Sequence, residues 1–161
     1  MAVGGVGGGG AGAGVWRVPV VATAEDPVSA RFTLTITAAA ADIDELGHVN
    51  NAVWVRWIQD IAIAHWDAVA PPEHRAAYVW VVTRHEIDYR GNVGAGETVT
   101  AETWVDTPPQ GARFDRKVRF LGADGKVKVE AVTTWALIDR ATGRLLRIRP
   151  EVAAPFMDGV G

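Results

Sequence analysis

A chain of 161 residues is long enough for one domain with a real core, and its 48% hydrophobic and 22% charged residues are ordinary for a globular protein. A net charge of −3 advertises no nucleic-acid partner. Cysteine is absent and Ser29, the only serine, lies outside any Gly-x-Ser-x-Gly frame, which removes disulfides, thiolate chemistry and a serine-hydrolase elbow. A hydrolase built from this chain must use carboxylate, histidine, threonine or bound water.

The first fourteen residues hold eight glycines and no charge, too glycine-rich for a signal segment, and read as a flexible tail. Val15 to Val21 is apolar but interrupted by Pro19, so it reads as an edge strand or extended arm. Tail and arm together take residues 1–24, and a single folded domain is expected over 28–158. No apolar run reaches the roughly 18–20 residues that a membrane span needs. A cytoplasmic setting is the expectation.

Within the domain, Phe32, Leu34 and Ile36 alternate with polar residues and predict a strand. Ala38 to Val49 is a polar loop. From Asn50 the period changes: Val53, Trp54, Trp57, Ile58, Ile61, His65 and Trp66 recur at three and four, predicting a helix closed by Pro71-Pro72. Asn50 is a good N-cap type. Ala52, Ile63, Ala64 and Ala68 widen the apolar arc, so a curved sheet is expected to wrap most of the helix.

Four strands are predicted after it, over Tyr78–Tyr89, Glu97–Asp106, Arg113–Leu121 and Lys126–Asp139. The links between them are short and rich in glycine and proline, and Gly91 to Gly96 reads as a hairpin turn, so all four strands are expected in one meander. One long helix and five or six antiparallel strands make an α+β domain. Seven tryptophans should mostly be core or subunit interface.

The densest polar cluster, Asp42-Ile43-Asp44-Glu45-Leu46-Gly47-His48-Val49-Asn50-Asn51, stands directly before the buried helix. A helix N-terminus offers unpaired N–H groups and a positive dipole end, which suits a developing oxyanion. A carboxylate and an imidazole a few residues upstream can fold back over it, the apparatus of acyl-transfer hydrolysis without serine or cysteine. The same residues also read as an acidic, solvated loop with an ordinary cap.

Elsewhere the signals are weaker. His65 reads as a packed or interface histidine and His74 as solvated. His85 and Glu86 should point to opposite faces of their strand. No histidine spacing suits a metal, so neither metal nor cofactor is expected. Arg113, Arg116, Lys117 and Arg119 could form a basic rim for phosphates, or simply a solvated strand face.

The acidic loop, followed by Val53-Trp54-Val55-Arg56-Trp57 and later by Glu86-Ile87-Asp88-Tyr89-Arg90, resembles the signature of hotdog-fold thioesterases. It is close to the 4-hydroxybenzoyl-CoA thioesterase group and the acyl-ACP thioesterases. The resemblance implies the hotdog fold, a long central helix wrapped by a curved antiparallel sheet. It further implies hydrolysis of acyl-CoA or acyl-ACP, and a homodimer or tetramer with active sites shared between subunits. Asp44 matches the catalytic aspartate, which attacks the thioester carbonyl or activates water. His48 matches the histidine of the acyl-ACP branch, and Asn51 stands where relatives carry a tyrosine or histidine whose backbone N–H polarises the carbonyl. That branch has an asparagine where this chain has Leu46 and a glutamate at the place of Asn92. Asn50 and Asn51 are the expected backbone donors, and Trp54 and Glu86 the candidate substrate contacts. Two other uses of the scaffold stay open: an enoyl-thioester hydratase or dehydratase, and a non-catalytic acyl-thioester-binding module.

Overall fold

A computed structural model describes residues 31–157, so the expected tail and arm over 1–24 and both expected domain ends, at 28 and 158, lie outside the described residues. Five strands form one antiparallel, curved sheet in the spatial order β1-β3-β4-β5-β2. They are β1 (Phe32–Thr37), β2 (Tyr78–Tyr89), β3 (Thr98–Trp104), β4 (Arg113–Gly122) and β5 (Val127–Asp139). The long helix α1 (Asn51–Val69) follows β1, and a short helix α2 (Pro72–Ala77) leads into β2. A final helix α3 (Pro150–Met157), which periodicity did not announce, starts on Pro150 with Glu151 in its first turn.

Strict alternation decides which side chains reach the core. Val99, Ala101 and Thr103 on β3, Val105 just past its end, and Phe114, Arg116, Val118 and Phe120 on β4 are all buried. Their odd or even partners along each strand are more exposed. On β2 the register slips between Val82 and Arg84, leaving Thr83 as an extra residue. Val82 is therefore opposite Trp135, while His85, Ile87 and Tyr89 are opposite Thr133, Ala131 and Val129. Even-numbered residues before the bulge and odd-numbered ones after it share the α1 face.

The expected four-strand meander is corrected to three. Strands β3, β4 and β5 are joined by hairpins, but β2 pairs with β5 along its full length and β1 takes the free edge of β3. The glycine-rich link from β2 to β3 is consequently a crossover strap rather than a hairpin turn. Val93 at its centre is 4% exposed and its carbonyl accepts the Val49 N–H at 3.0 Å, so the strap passes against the start of α1.

One face of α1 is buried, through Val53, Trp54, Trp57, Ile58, Ile61, Ala62 and His65. Trp54 stacks edge-on against both Trp57 and Phe120. Burying such side chains stabilises the fold by about 1.5–3 kcal/mol each. The wrapping is narrower than the apolar arc suggested, because Ala52 and Ala68 are exposed and Ile63 is 51% exposed. A second apolar cluster, built on Val105, Phe114, Leu137, Ile148, Val152 and Phe156, lies under α3.

Asn50 caps α1 as its residue type suggested: its Oδ1 accepts the Ala52 N–H at 2.9 Å. Replacing it with alanine strands that donor, so Asn50→Ala should cost about 1 kcal/mol. The expected readout is a lower urea midpoint at unchanged m value.

Candidate active site

The loop before α1 is a small hairpin of its own. Ile43 bridges Val49, and Asp44 exchanges backbone bonds with His48 (2.8 Å) and Gly47 (3.1 Å). Gly47 holds φ +78°, a conformation that costs glycine nothing. Asp44 organises the turn: its Oδ1 accepts the N–H groups of Leu46 (2.9 Å) and His48 (3.2 Å). Its Oδ2 has no partner among the described residues. One oxygen of this half-buried residue is thus anchored by two donors while the other is left unpaired among the described residues. His48 is exposed, and Leu46 at the tip is 75% exposed.

The neighbouring acid has a different fate. Asp42 is 8% exposed, pairs with Arg56 at 2.6 Å and accepts the Ala39 N–H at 2.9 Å. It is neutralised and fixed. The strap adds a clamp that sequence reading passed over, because Asn92 Oδ1 accepts both the Val49 N–H (3.0 Å) and its neighbour's at Val93 (2.8 Å). Where the acyl-ACP branch has a glutamate, this chain has a residue that ties the loop to the strap.

At the helix start the two expected backbone donors separate. The Asn50 N–H is already given to the Asp42 carbonyl at 2.9 Å, which removes it from the expected pair. The Ala52 N–H is taken by the cap and that of Val53 turns back to the Asn50 carbonyl at 2.9 Å. The Asn51 N–H alone in this first turn has no partner among the described residues. Tyr89, from the end of β2, reaches the same place, with its hydroxyl 3.5 Å from the Asn51 carbonyl. Burial raises that hydroxyl above its usual range, so it is a protonated donor at neutral pH. Its parity after the Thr83 bulge was the signal that could have found it.

Other expected site residues lie elsewhere. Trp54 is 0% exposed and is core, so the structure does not offer it as a substrate contact. Glu86 is on the sheet face away from α1, exposed and paired with Arg84 at 2.9 Å, and is not brought to Asp44. His85 points the other way, as expected, with Nδ1 2.9 Å from Thr133 Oγ1. His74 is half-buried rather than solvated, and its Nδ1 has no partner among the described residues. The basic rim does not form: Lys117 and Arg119 pair with Asp106 and Glu102, while Arg116 turns into the core at 6% exposure. There His65, stacked on Phe32, accepts from Arg116 Nη1 at 2.9 Å. Burial first, and the Arg116 charge second, hold the His65 imidazole down at about 3, which keeps it neutral.

A carboxylate with one free oxygen, an unpaired N–H at a helix start and a tyrosine hydroxyl are gathered at one end of α1. The pattern of the thioesterase-like superfamily matches residues 39–156, a span that takes in the loop, the strap and all but the last residue of α3. The chain belongs to the thioesterase-like superfamily.

Relatives of this superfamily member are distant. The chloroplastic acyl-[acyl-carrier-protein] hydrolase FATB3 of Cuphea viscosissima is 22% identical over 148 residues, covering 83% of this chain and 35% of that protein. A Lactobacillus plantarum structure described as an oleoyl thioesterase superposes with a TM-score of 0.72 at 20% identity, over 80% of this chain and 51% of the other. A hypothetical protein of Staphylococcus aureus in complex with CoA gives 0.72 at 14% identity, over 85% and 88% of the two chains. The chain thus spans about a third of the plant hydrolase and half of the Lactobacillus chain. These likenesses establish the hotdog fold. No helix among the described residues is long and apolar enough to cross a membrane.

Proposed function

We propose that this chain is a thioester hydrolase, cleaving an acyl-CoA or acyl-ACP to free acid and thiol. The observation that carries the reading is Asp44: its turn anchors Oδ1 and, among the described residues, leaves Oδ2 unpaired, just before a helix whose first N–H is likewise unpaired. In this reading the thioester oxygen takes the Asn51 N–H, which stabilises the charge that develops on it. Oδ2 either draws a proton from water as that water attacks, or attacks the carbonyl itself. The C–S bond then breaks, the thiolate leaves, and water supplies the acid's second oxygen directly or on hydrolysis of the anhydride. His48, exposed beside Asp44, positions the acid, the water or the departing thiolate.

The reading includes a homodimer or a tetramer. Strand β2 is a twelve-residue edge whose outer backbone groups have no strand beside them among the described residues, and such an edge invites a second copy.

A thioester panel read by thiol release tests the activity, with sedimentation of the same preparation testing the assembly. The expected result is release from at least one acyl-CoA or acyl-ACP by a dimer or larger species. Hydration of an enoyl thioester without thiol release, or binding without turnover, would overturn the hydrolase.

A further inference from the structure

A cavity of about 520 Å³ lies between the C-terminal half of α1 and the first half of β2, a volume within the range that small-molecule ligands occupy. Its lining is aromatic, from Trp66, Trp80, Phe114, Trp135 and Phe156, and it includes Arg116. This arginine is 6% exposed, and its two hydrogen bonds both use Nη1, toward His65 Nδ1 at 2.9 Å and Thr103 Oγ1 at 3.0 Å. Both acceptors are neutral. Among the described residues Arg116 makes no ion pair, and its guanidinium carbon lies over the Phe156 ring, 5.0 Å from the ring's centre. Burial lowers Arg116 only to about 10, so it stays a cation at neutral pH.

Two further donors share the cavity. The indole Nε1 atoms of Trp80 and Trp135 are buried without a partner among the described residues. A guanidinium and two indole N–H groups are donors only, so around Arg116 the aromatic wall supplies hydrogen and positive charge, while the acceptors of the lining are Gln59, Asp67 and Tyr78, and Arg75 and Arg140 add further positive charge. A buried cation without a partner is expensive, and the planar fork of arginine matches a carboxylate. An aromatic wall asks for an apolar body behind that carboxylate.

We propose that this cavity binds a carboxylate carried on an apolar body, with Arg116 as its ionic partner, and that the acyl group cleaved here bears that carboxylate at the end remote from the thioester. The substrate half rests on the hydrolase reading. Gln59, at the near end of the cavity, is eight residues along α1 from Asn51. That is about 12 Å at the helical rise, or roughly ten bonds of an extended chain.

Two arms test it. Calorimetry compares phenylbutyrate with its amide, phenylbutyramide, on the wild-type protein, on Arg116→Gln and on Ile63→Trp. The last narrows the cavity's rim from an exposed helix position, and it leaves Arg116 and the Asp44 loop intact. The acid should bind about tenfold or more tightly than the amide, the preference vanishing in Arg116→Gln and binding weakening in Ile63→Trp. Kinetics compare dodecanedioyl-CoA with dodecanoyl-CoA, expecting a kcat/KM ratio of about ten that falls to about one in Arg116→Gln. Equal binding of acid and amide, or a preference that survives Arg116→Gln, overturns the carboxylate site. Equal kcat/KM for the two thioesters overturns the substrate assignment. If no thioester is cleaved while phenylbutyrate binds through Arg116, the hydrolase reading fails and the carboxylate site stands.

Discussion

Asp44→Asn is expected to lower kcat for thiol release by about 10²-fold or more while leaving the protein folded. Asparagine keeps an Oδ1 acceptor, so the N–H groups of Leu46 and His48 retain their partner and the turn before α1 survives. What is lost is the free anionic oxygen. Thermal melting should therefore move little while turnover collapses, a separation that a merely structural aspartate could not produce. His48→Ala should cost less, since water can replace an exposed positioning group. Glu86→Gln should leave the rate unchanged, because Glu86 stands on the far face of the sheet, held by Arg84. Near-wild-type release by Asp44→Asn on a good substrate would falsify the assignment.

The second large effect is acid lability well above the carboxylate range. His65 has an ordinary value of 6.5 in the unfolded chain and about 3 in the fold, where burial and the Arg116 charge keep it neutral. Below pH 6.5 the unfolded chain takes up a proton that the folded one refuses, so stability is lost as pH falls and the loss levels off only near 3. Each pH unit in that window costs up to about 1.4 kcal/mol, so pH 4.5 should be roughly 3 kcal/mol below pH 7. His85, also lowered by burial, pushes in the same direction. Urea unfolding at pH 7, 6, 5 and 4.5 measures the slope. His65→Gln keeps an acceptor for Arg116 without a titrating group, and it should flatten the curve. An unchanged slope in that variant would mean that His65 is not the cause.

Period and alternation made most of the fold legible. The arc from Val53 to Trp66 sets α1, and Asn50 caps it because its side chain, in extended backbone, can reach the second helical N–H. Each predicted strand lies within one residue of its observed limits, except at Asp106, two beyond the end of β3. Pairing was less legible. Glycine in the link from Gly91 to Gly96 signals a chain that bends closely past its neighbours, but it cannot say which strand the chain then joins. Only the placement of β1 on β3 turns that link into a strap.

The site divides in the same way. Asp44 and the helix start could be found because charge and periodicity meet there. The engagement of the Asn50 N–H by Asp42 could not, since it depends on the path of a 3₁₀ turn over Ala40–Asp42. Arg116 shares its parity with Phe114, Val118 and Phe120, so its burial was readable in the strand. That it makes no ion pair among the described residues became visible only once the other elements were packed around it.

The extra residue in β2 has a consequence for how this chain can vary. Before Thr83 the strand furnishes Trp80 and Val82 to the cavity, and after it the strand furnishes Tyr89 to the helix start. The two ends are out of phase by one position, and Thr83 absorbs the mismatch. Shortening the strand there would turn one half over, putting either Trp80 on the outside or Tyr89 away from Asn51. Substitutions on either side of Thr83 are thereby insulated from each other, so what the cavity accepts can drift without disturbing the end where bonds would be broken, provided the length between them is kept.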